Sequence, residues 1–203
     1  MSARIVLDFD DPSEVRFELD YLFRLKAHFP KFKVTLFSPP AMSSSPYLAE
    51  IKKLDWIELA VHGWEHKGAE CLEWSKQEAL NYLRAAKRSG FFVGGFKAPH
   101  WSISGPVYEA CREEGFWVAD NWGRDSSPVK EVPKDNKVYF ENGPFIGHDI
   151  KYDESVYKRE HGHISFVPAV NNDIKLMMMD LQNSYPPESE FIFISELIKE
   201  LYP

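Results

Sequence analysis

The chain has 203 residues, 24 Lys+Arg against 31 Asp+Glu for a formal charge of −7, 44% hydrophobic and 15% aromatic content, and two cysteines. This is a globular composition, long enough for one domain with a substantial core, and it excludes disordered, collagenous and disulfide-stapled classes. No apolar run approaches the roughly 18 to 20 residues of a membrane span, and an acidic chain with no basic stripe is a poor partner for duplex nucleic acid. Met1-Ser2-Ala3-Arg4 leads into a strand-like run and does not read as a signal peptide. Cys71 and Cys111 make at most one bridge, so the expected address is reducing and cytoplasmic. The unusual feature is seven histidines, four of them in two tight pairs, His62/His66 and His161/His163.

Strand-length apolar runs alternate with helix-length amphipathic segments, which predicts an α/β fold with mainly parallel pairing. Ala3 to Phe9 reads as the first strand. A helix follows, with Ser13 as N-cap, Val15, Leu19, Leu22, Phe23 and Leu25 near helical spacing, and Pro30 as its stop. Lys33 to Ser38 is the second strand, Tyr47 to Leu54 a helix, and Trp56 to Val61 a third strand that delivers His62 into a loop. Ser75 to Arg88 is a helix with a Ser cap and a Ser89-Gly90 stop. Phe91 to Phe96 reads as strand four, followed by the loop Lys97-Ala98-Pro99-His100-Trp101. A helix from Gly105 to Glu114 leads to strand five, Phe116 to Ala119, which ends at Asp120.

From Gly123 to Tyr157 the pattern weakens, with short candidate strands at Lys137 to Phe140 and Phe145 to Ile150. Ile164 to Val167 is a further strand, Asp173 to Gln182 a helix, and Phe191 to Ile194 the last strand before a C-terminal helix. No repeat or linker divides the chain, so residues 1–203 are read as one domain. About seven or eight strands fit a closed or nearly closed barrel, with a doubly wound open sheet as the alternative.

In parallel α/β folds, functional groups collect where strands end. Asp10 and Asp11, His62 and His66, Lys97 to Trp101, Asp120, and His161 and His163 all fall at or near such ends. Neighbouring carboxylates repel unless a cation sits between them or one is protonated, so Asp10-Asp11 suits a metal ligand beside a general base. Asp-Asp-Pro-Ser suits a helix N-cap equally well. His62 and His66, four residues apart, would face the same way on a helical turn and grip one divalent ion. Two imidazoles and one carboxylate leave positions open for water and substrate, as a catalytic site requires. At His161-Gly162-His163 the glycine permits a tight turn, and an imidazole near its unperturbed pKa can serve as a general acid. Asp120 would orient that histidine through a charge-assisted hydrogen bond.

These residues resemble the ordered motifs of the polysaccharide deacetylases, carbohydrate esterase family 4. Phe9-Asp10-Asp11 is similar to Thr-Phe-Asp-Asp-Gly, and His62-Gly63-Trp64-Glu65-His66 to His-Ser/Thr-x-x-His. Phe96-Lys97-Ala98-Pro99-His100-Trp101 is similar to the Arg-x-Pro-aromatic groove wall. Asp120-Asn121-Trp122 resembles a shortened Asp-x-x-Asp-Trp, and His161-Gly162-His163 the Leu-x-His motif. The closing Phe191 to Leu197 resembles the family's last strand. Asp8, Pro12, Gly63 and Lys97 depart from it, standing where the family has Thr, Gly, Ser or Thr, and Arg.

The resemblance implies a distorted (β/α) barrel of about seven parallel strands and metal-dependent removal of N-acetyl groups from an N-acetylated sugar or glycan. It implies a divalent ion on Asp11, His62 and His66, with Zn²⁺ ahead of Co²⁺ or Ni²⁺. Asp10 would be the base, with Lys97 neutralising it, and His161 the acid, ahead of His163, with Asp120 orienting it. Pro99, His100, Trp101, Trp122 and His163 would bind a carbohydrate or N-acyl substrate, and Trp64 is a further candidate sugar-stacking wall. Two rivals differ in class. Asp8-Phe9-Asp10 also resembles the Asp-x-Asp nucleophile of haloacid-dehalogenase-like Mg²⁺ phosphatases; Asp8→Asn should abolish turnover under that reading and do little under the deacetylase one. The other is a non-catalytic glycan- or metabolite-binding barrel, suggested by Gly63 and Lys97.

Overall fold

The computed structural model describes residues 4–12, 14, 19–119, 145–146, 156–163 and 172–201, with side chains left undescribed at 145–146, 163 and 172–174. Among the described residues, eight strands form one sheet: β1 (Arg4–Asp10), β2 (Val34–Ser38), β3 (Ile57–His62), β4 (Gly95–Lys97), β5 (Trp117–Ala119), β6 (Phe145–Ile146), β7 (Tyr157–His163) and β8 (Phe191–Ile192). Their order is β6-β5-β4-β3-β2-β1-β7, with β8 also on β1, and every pairing is parallel. The helices are α1 (Leu19–His28), α2 (Ser45–Lys52), α3 (Lys76–Ser89), α4 (Gly105–Glu114), α5 (Asn172–Ser184) and α6 (Ile194–Leu201). Among the described residues no helix is long and apolar enough to cross a membrane.

Strands β1, β2 and β3 are buried on both faces, as parallel strands covered by helices must be. Alternation then sorts their side chains. Ile5, Leu7 and Phe9 of β1 pack with Val34, Leu36, Leu22, Leu25 and Leu48, between sheet and helices. Val61, Phe96 and Val118 do the same against α3 and α4. The opposite face of the curved sheet holds Val6, Phe37, Ala60, Trp117, Ala119 and Tyr157. Asp8 and Asp10 follow Val6 on that inner face, and His62 follows Ala60. The inner layer is thus apolar at the strand starts and ionisable at the strand ends.

Local signals explain the well-placed elements. Ser75 and Glu78 form a reciprocal capping box at the start of α3, and Gly90 ends that helix in the left-handed region (φ 71°). Pro106 lies in the first turn of α4 and Gly115 ends it (φ 72°).

Three expectations change. Strand four shrinks to Gly95–Lys97, because 91–94 is a turn held by Val93 N–H on the Leu59 carbonyl (2.8 Å). His161 and His163 lie on a strand, β7, and not in a loop before one. Gly162 makes no turn: it sits in β7, where a Cβ would meet Phe9 Cε1 at 2.6 Å. Cys71 and Cys111 are buried free thiols that burial pushes to high pKa. Ser13, Lys137 to Phe140 and Ile164 to Val167 lie outside the described residues.

Candidate active site

Asp11 follows β1 in the left-handed region (φ 66°), with its N–H on the Phe37 carbonyl (3.1 Å). His62 ends β3, and its ring donates from Nδ1 to the Lys97 carbonyl at 3.0 Å. That bond leaves Nε2 as the atom facing Asp11 Oδ1, 3.4 Å away. His66 reaches the same oxygen from Nε2 at 2.9 Å. No helical turn joins the two histidines, contrary to expectation: Gly63 (φ 60°) and His66 (φ 56°) are both left-handed, and a loop brings the rings to 5.1 Å. Sequence reasoning missed what holds that loop. Glu70 Oε1 accepts from the backbone N–H groups of Trp64, Glu65 and His66 at 2.7, 3.2 and 3.0 Å. Its only sequence signal is a carboxylate a few residues past a glycine turn.

Beside this trio lies a second group. Lys97, the last residue of β4, is wholly buried and donates from Nζ to Asp10 Oδ1 at 2.7 Å, with Asp8 Oδ1 at 3.4 Å. His161 Nδ1 lies 2.7 Å from Asp8 Oδ1, and its Nε2 lies 3.7 Å from Asp10 Oδ2. Arg159 donates to Asp8 Oδ2 from Nε at 3.1 Å, with Nη2 3.0 Å from the same oxygen. The register pairs Asp8 with His161, and strand alternation puts Arg159 on the same face. Trp101 covers the group, its ring centroid 3.9 Å from Lys97 Nζ and 5.6 Å from the His161 ring.

Electrostatics separate the two groups. Burial would raise the Asp8 carboxyl, but Arg159, His161 and Lys97 reverse this and hold it well below the usual carboxylate range. Burial likewise opposes ionisation of Asp10, and Lys97, His62 and His161 outweigh it, so its pKa is lowered. Burial drives His62 down to about 4 despite Asp10 and Asp11, which makes it a neutral imidazole at pH 7. His66 is raised: burial lowers it, but the hydrogen bond and charge of Asp11 win.

Asp11, His62 and His66 place one ligand atom each within 4.8 Å of one another, as do Asp8, Asp10 and His161. Only the first trio fits a divalent ion. Lys97 and Arg159 already neutralise the second, whereas the first sets a carboxylate oxygen against two imidazole Nε2 atoms. Tetrahedral ligands about 2.0–2.1 Å from zinc sit about 3.3 Å apart, near the separations seen here. Backbone strain gathers at the same place. Among the described residues the non-glycine positive-φ positions are Asp11, His66, His100 and Trp101, conformations that cost of order 1–3 kcal/mol each.

The other expected residues are distributed unevenly. Pro99 is buried under the loop, and His100 is exposed with its ring 5.6 Å from His66. Trp64 stacks on Tyr82 (4.8 Å, 26°) and packs on the α3–α4 core. Asp120 and Trp122 lie outside the described residues, as does the side chain of His163.

No protein-family model matches the chain, and no curated protein does. Solved structures do. The Xyl-CE4 domain of a multidomain xylanase from the hindgut metagenome of Trinervitermes trinervoides superposes with TM-score 0.58 at 19% identity, covering 99% of this chain and 92% of that one. The peptidoglycan deacetylase PdaC from Bacillus subtilis gives 0.60 at 17%, over 98% and 93%. A family 4 acetyl xylan esterase from Clostridium thermocellum, in complex with a cobalt ion, gives 0.55 at 14%, over 97% and 90%. At these identities and coverages, the chain has the (β/α) barrel-like fold of the family 4 carbohydrate esterases and peptidoglycan deacetylases.

Proposed function

We propose that the protein is a metal-dependent hydrolase of that family, removing the acetyl group from an N-acetylated sugar or glycan. The carrying observation is the contact between the two groups: Asp10 lies between the trio Asp11, His62, His66 and the pair Lys97, His161, with His62 Nε2 4.0 Å and His161 Nε2 3.7 Å from its Oδ2. Asp11, His62 and His66 would hold the ion, with Zn²⁺ the best match to a carboxylate and two imidazoles. When bound, such an ion supplies Lewis acidity that activates water and polarises an acyl carbonyl.

The remaining chemistry belongs to the chain. Asp10, kept ionised by Lys97 on Oδ1, accepts the proton of the attacking water. A backbone N–H of the strained loop near His100 donates to the developing oxyanion. His161, 20% exposed where Asp8 and Lys97 are closed off, protonates the departing nitrogen. An amine leaves poorly without that proton, so an ordered acid suits an amide substrate. Trp101 and His100 border the opening and offer surfaces for a sugar ring.

The phosphatase reading requires Asp8 to reach a substrate, and Asp8 is fully buried with Arg159, His161 and Lys97 on its oxygens. The test is acetate release from a panel of N-acetyl sugars by protein loaded separately with Zn²⁺, Co²⁺ and Ni²⁺. Protein that binds no metal and releases no acetate from any member of the panel overturns the proposal in favour of a binding module.

A further inference from the structure

Asp8 is the member of the interior cluster to which the motif resemblance gives no part, since Thr stands there in the family. It is nonetheless fully buried and bonded at both of its oxygens. Oδ2 takes Arg159, and Oδ1 takes His161 with Lys97 nearby, while Asp8 itself has zero exposure. Burying a carboxylate is costly unless its partners require it. Both ends of this arrangement are fixed by strands, because Asp8 and His161 are register partners in the β1–β7 ladder. Asp120, expected to orient the histidine, lies outside the described residues; within them, the carboxylate bonded to His161 comes from β1.

We propose that Asp8, anchored by Arg159, is the positioning residue for His161: it keeps Nδ1 as a proton donor and so aims Nε2 at Asp10 and the reacting centre. This rests on the reading of His161 as the acid of a hydrolytic site. The charges agree with it. Asp8 and Arg159 offset each other, as do Asp10 and Lys97, so the interior is balanced when the imidazole is neutral. Lys97 Nζ sits 3.4 and 3.5 Å from the two ring nitrogens and can only donate, so the acceptor for an Nδ1 proton is the carboxylate 2.7 Å away. The T-shaped Trp101 ring restricts rotation out of this geometry.

Asp8→Asn tests the idea because it preserves shape and alters donors. Arg159 can accept nothing, so the amide oxygen turns to Arg159 and the NH₂ to His161, which forces Nδ1 to accept and moves the ring proton to Nε2. Long-range ¹H–¹⁵N spectra of histidine-labelled protein, with His161 assigned by its loss in His161→Gln, should show the proton on Nδ1 in the native chain and on Nε2 in the variant. With the N-acetyl substrate, kcat should fall about 100-fold or more, in place of the small loss that the sequence alone predicts without the bond from Asp8 to His161, while KM stays within about threefold. Adding Arg159→Met to Asp8→Asn frees the amide to turn and should restore the Nδ1 proton and part of kcat. A native His161 carrying its neutral-state proton on Nε2 overturns the proposal, as does a folded Asp8→Asn protein with unchanged tautomer and kcat. If that variant does not fold, the native spectrum alone decides. Absence of acetate release by the native protein speaks against the hydrolase reading and leaves the tautomer test standing.

Discussion

The carbonyl oxygen of Lys97 accepts a hydrogen bond from His62 Nδ1 at 3.0 Å, while the ammonium of the same lysine binds Asp10 Oδ1 at 2.7 Å. One residue at the end of β4 therefore sets the tautomer of a candidate metal ligand and the charge state of the candidate base. The register of β3 against β4, which pairs His62 with Lys97, makes both contacts possible.

Replacing His66 with Ala should remove the bound metal without unfolding the protein, since its side chain is 10% exposed at the mouth of the site. Metal analysis of protein purified without chelator should find about one ion per native chain and a large loss in the variant. Equal metal content in the two proteins would refute the assignment of His66.

Lys97→Met should destabilise by about 3–5 kcal/mol, because it leaves Asp8 and Asp10 as adjacent buried carboxylates with one cation fewer. Urea denaturation at pH 7 measures this directly. Activity should fall as well, since an unneutralised Asp10 is driven toward its protonated form.

Glu70→Ala removes the acceptor shared by the Trp64, Glu65 and His66 N–H groups and should loosen the loop that presents His66. Metal affinity should drop roughly 10–100-fold, the usual scale for groups that orient ligands, with Glu70→Gln falling between. Competition titration against a chromogenic chelator reads the change.

Gly63→Ser, which would restore the residue of the resembling motif, should harm this protein. The backbone there is left-handed, and a Cβ would overlap the Glu70 carboxylate and come within 2.7 Å of Pro99 Cγ. Lower melting temperature and lower metal affinity are expected, and a gain in either would show that the loop relaxes freely.

The metal-free protein should lose stability as pH falls from about 6.5 to about 4. The folded-state pKa of His62 is pushed down to about 4, so across this window the unfolded chain binds the proton and the folded one resists it, worth about 3 kcal/mol in total. His66, raised by Asp11, works the other way: its contribution is present below the unfolded pKa and is lost as pH rises through the folded one. Comparing urea midpoints across pH in His66→Gln protein isolates the His62 term, and a flat profile there would contradict it.

Much of the fold was legible because its signals are local. Ser75 and Glu78, Gly90, Pro106 and Gly115 punctuate helices through their own hydrogen bonds and φ angles, and β1 to β3 read as apolar runs because both faces are covered. The ordered positions of Asp10, Asp11, His62, His66, Lys97 and His161 at strand ends were also visible in one dimension. The strand β7 was not, since its Arg159 and His161 point into a buried ionic cluster and erase the apolar alternation by which strands are recognised. The loop geometry of the histidine pair, the hold of Glu70 on it and the pairing of Asp8 with His161 join residues up to 153 positions apart. Sequence spacing determines which side chains can share a face of one element. Which charges meet across elements, and so which carboxylate is a candidate ligand, which a candidate base and which a candidate anchor, depended on strand register and on the cost of burying each charge alone.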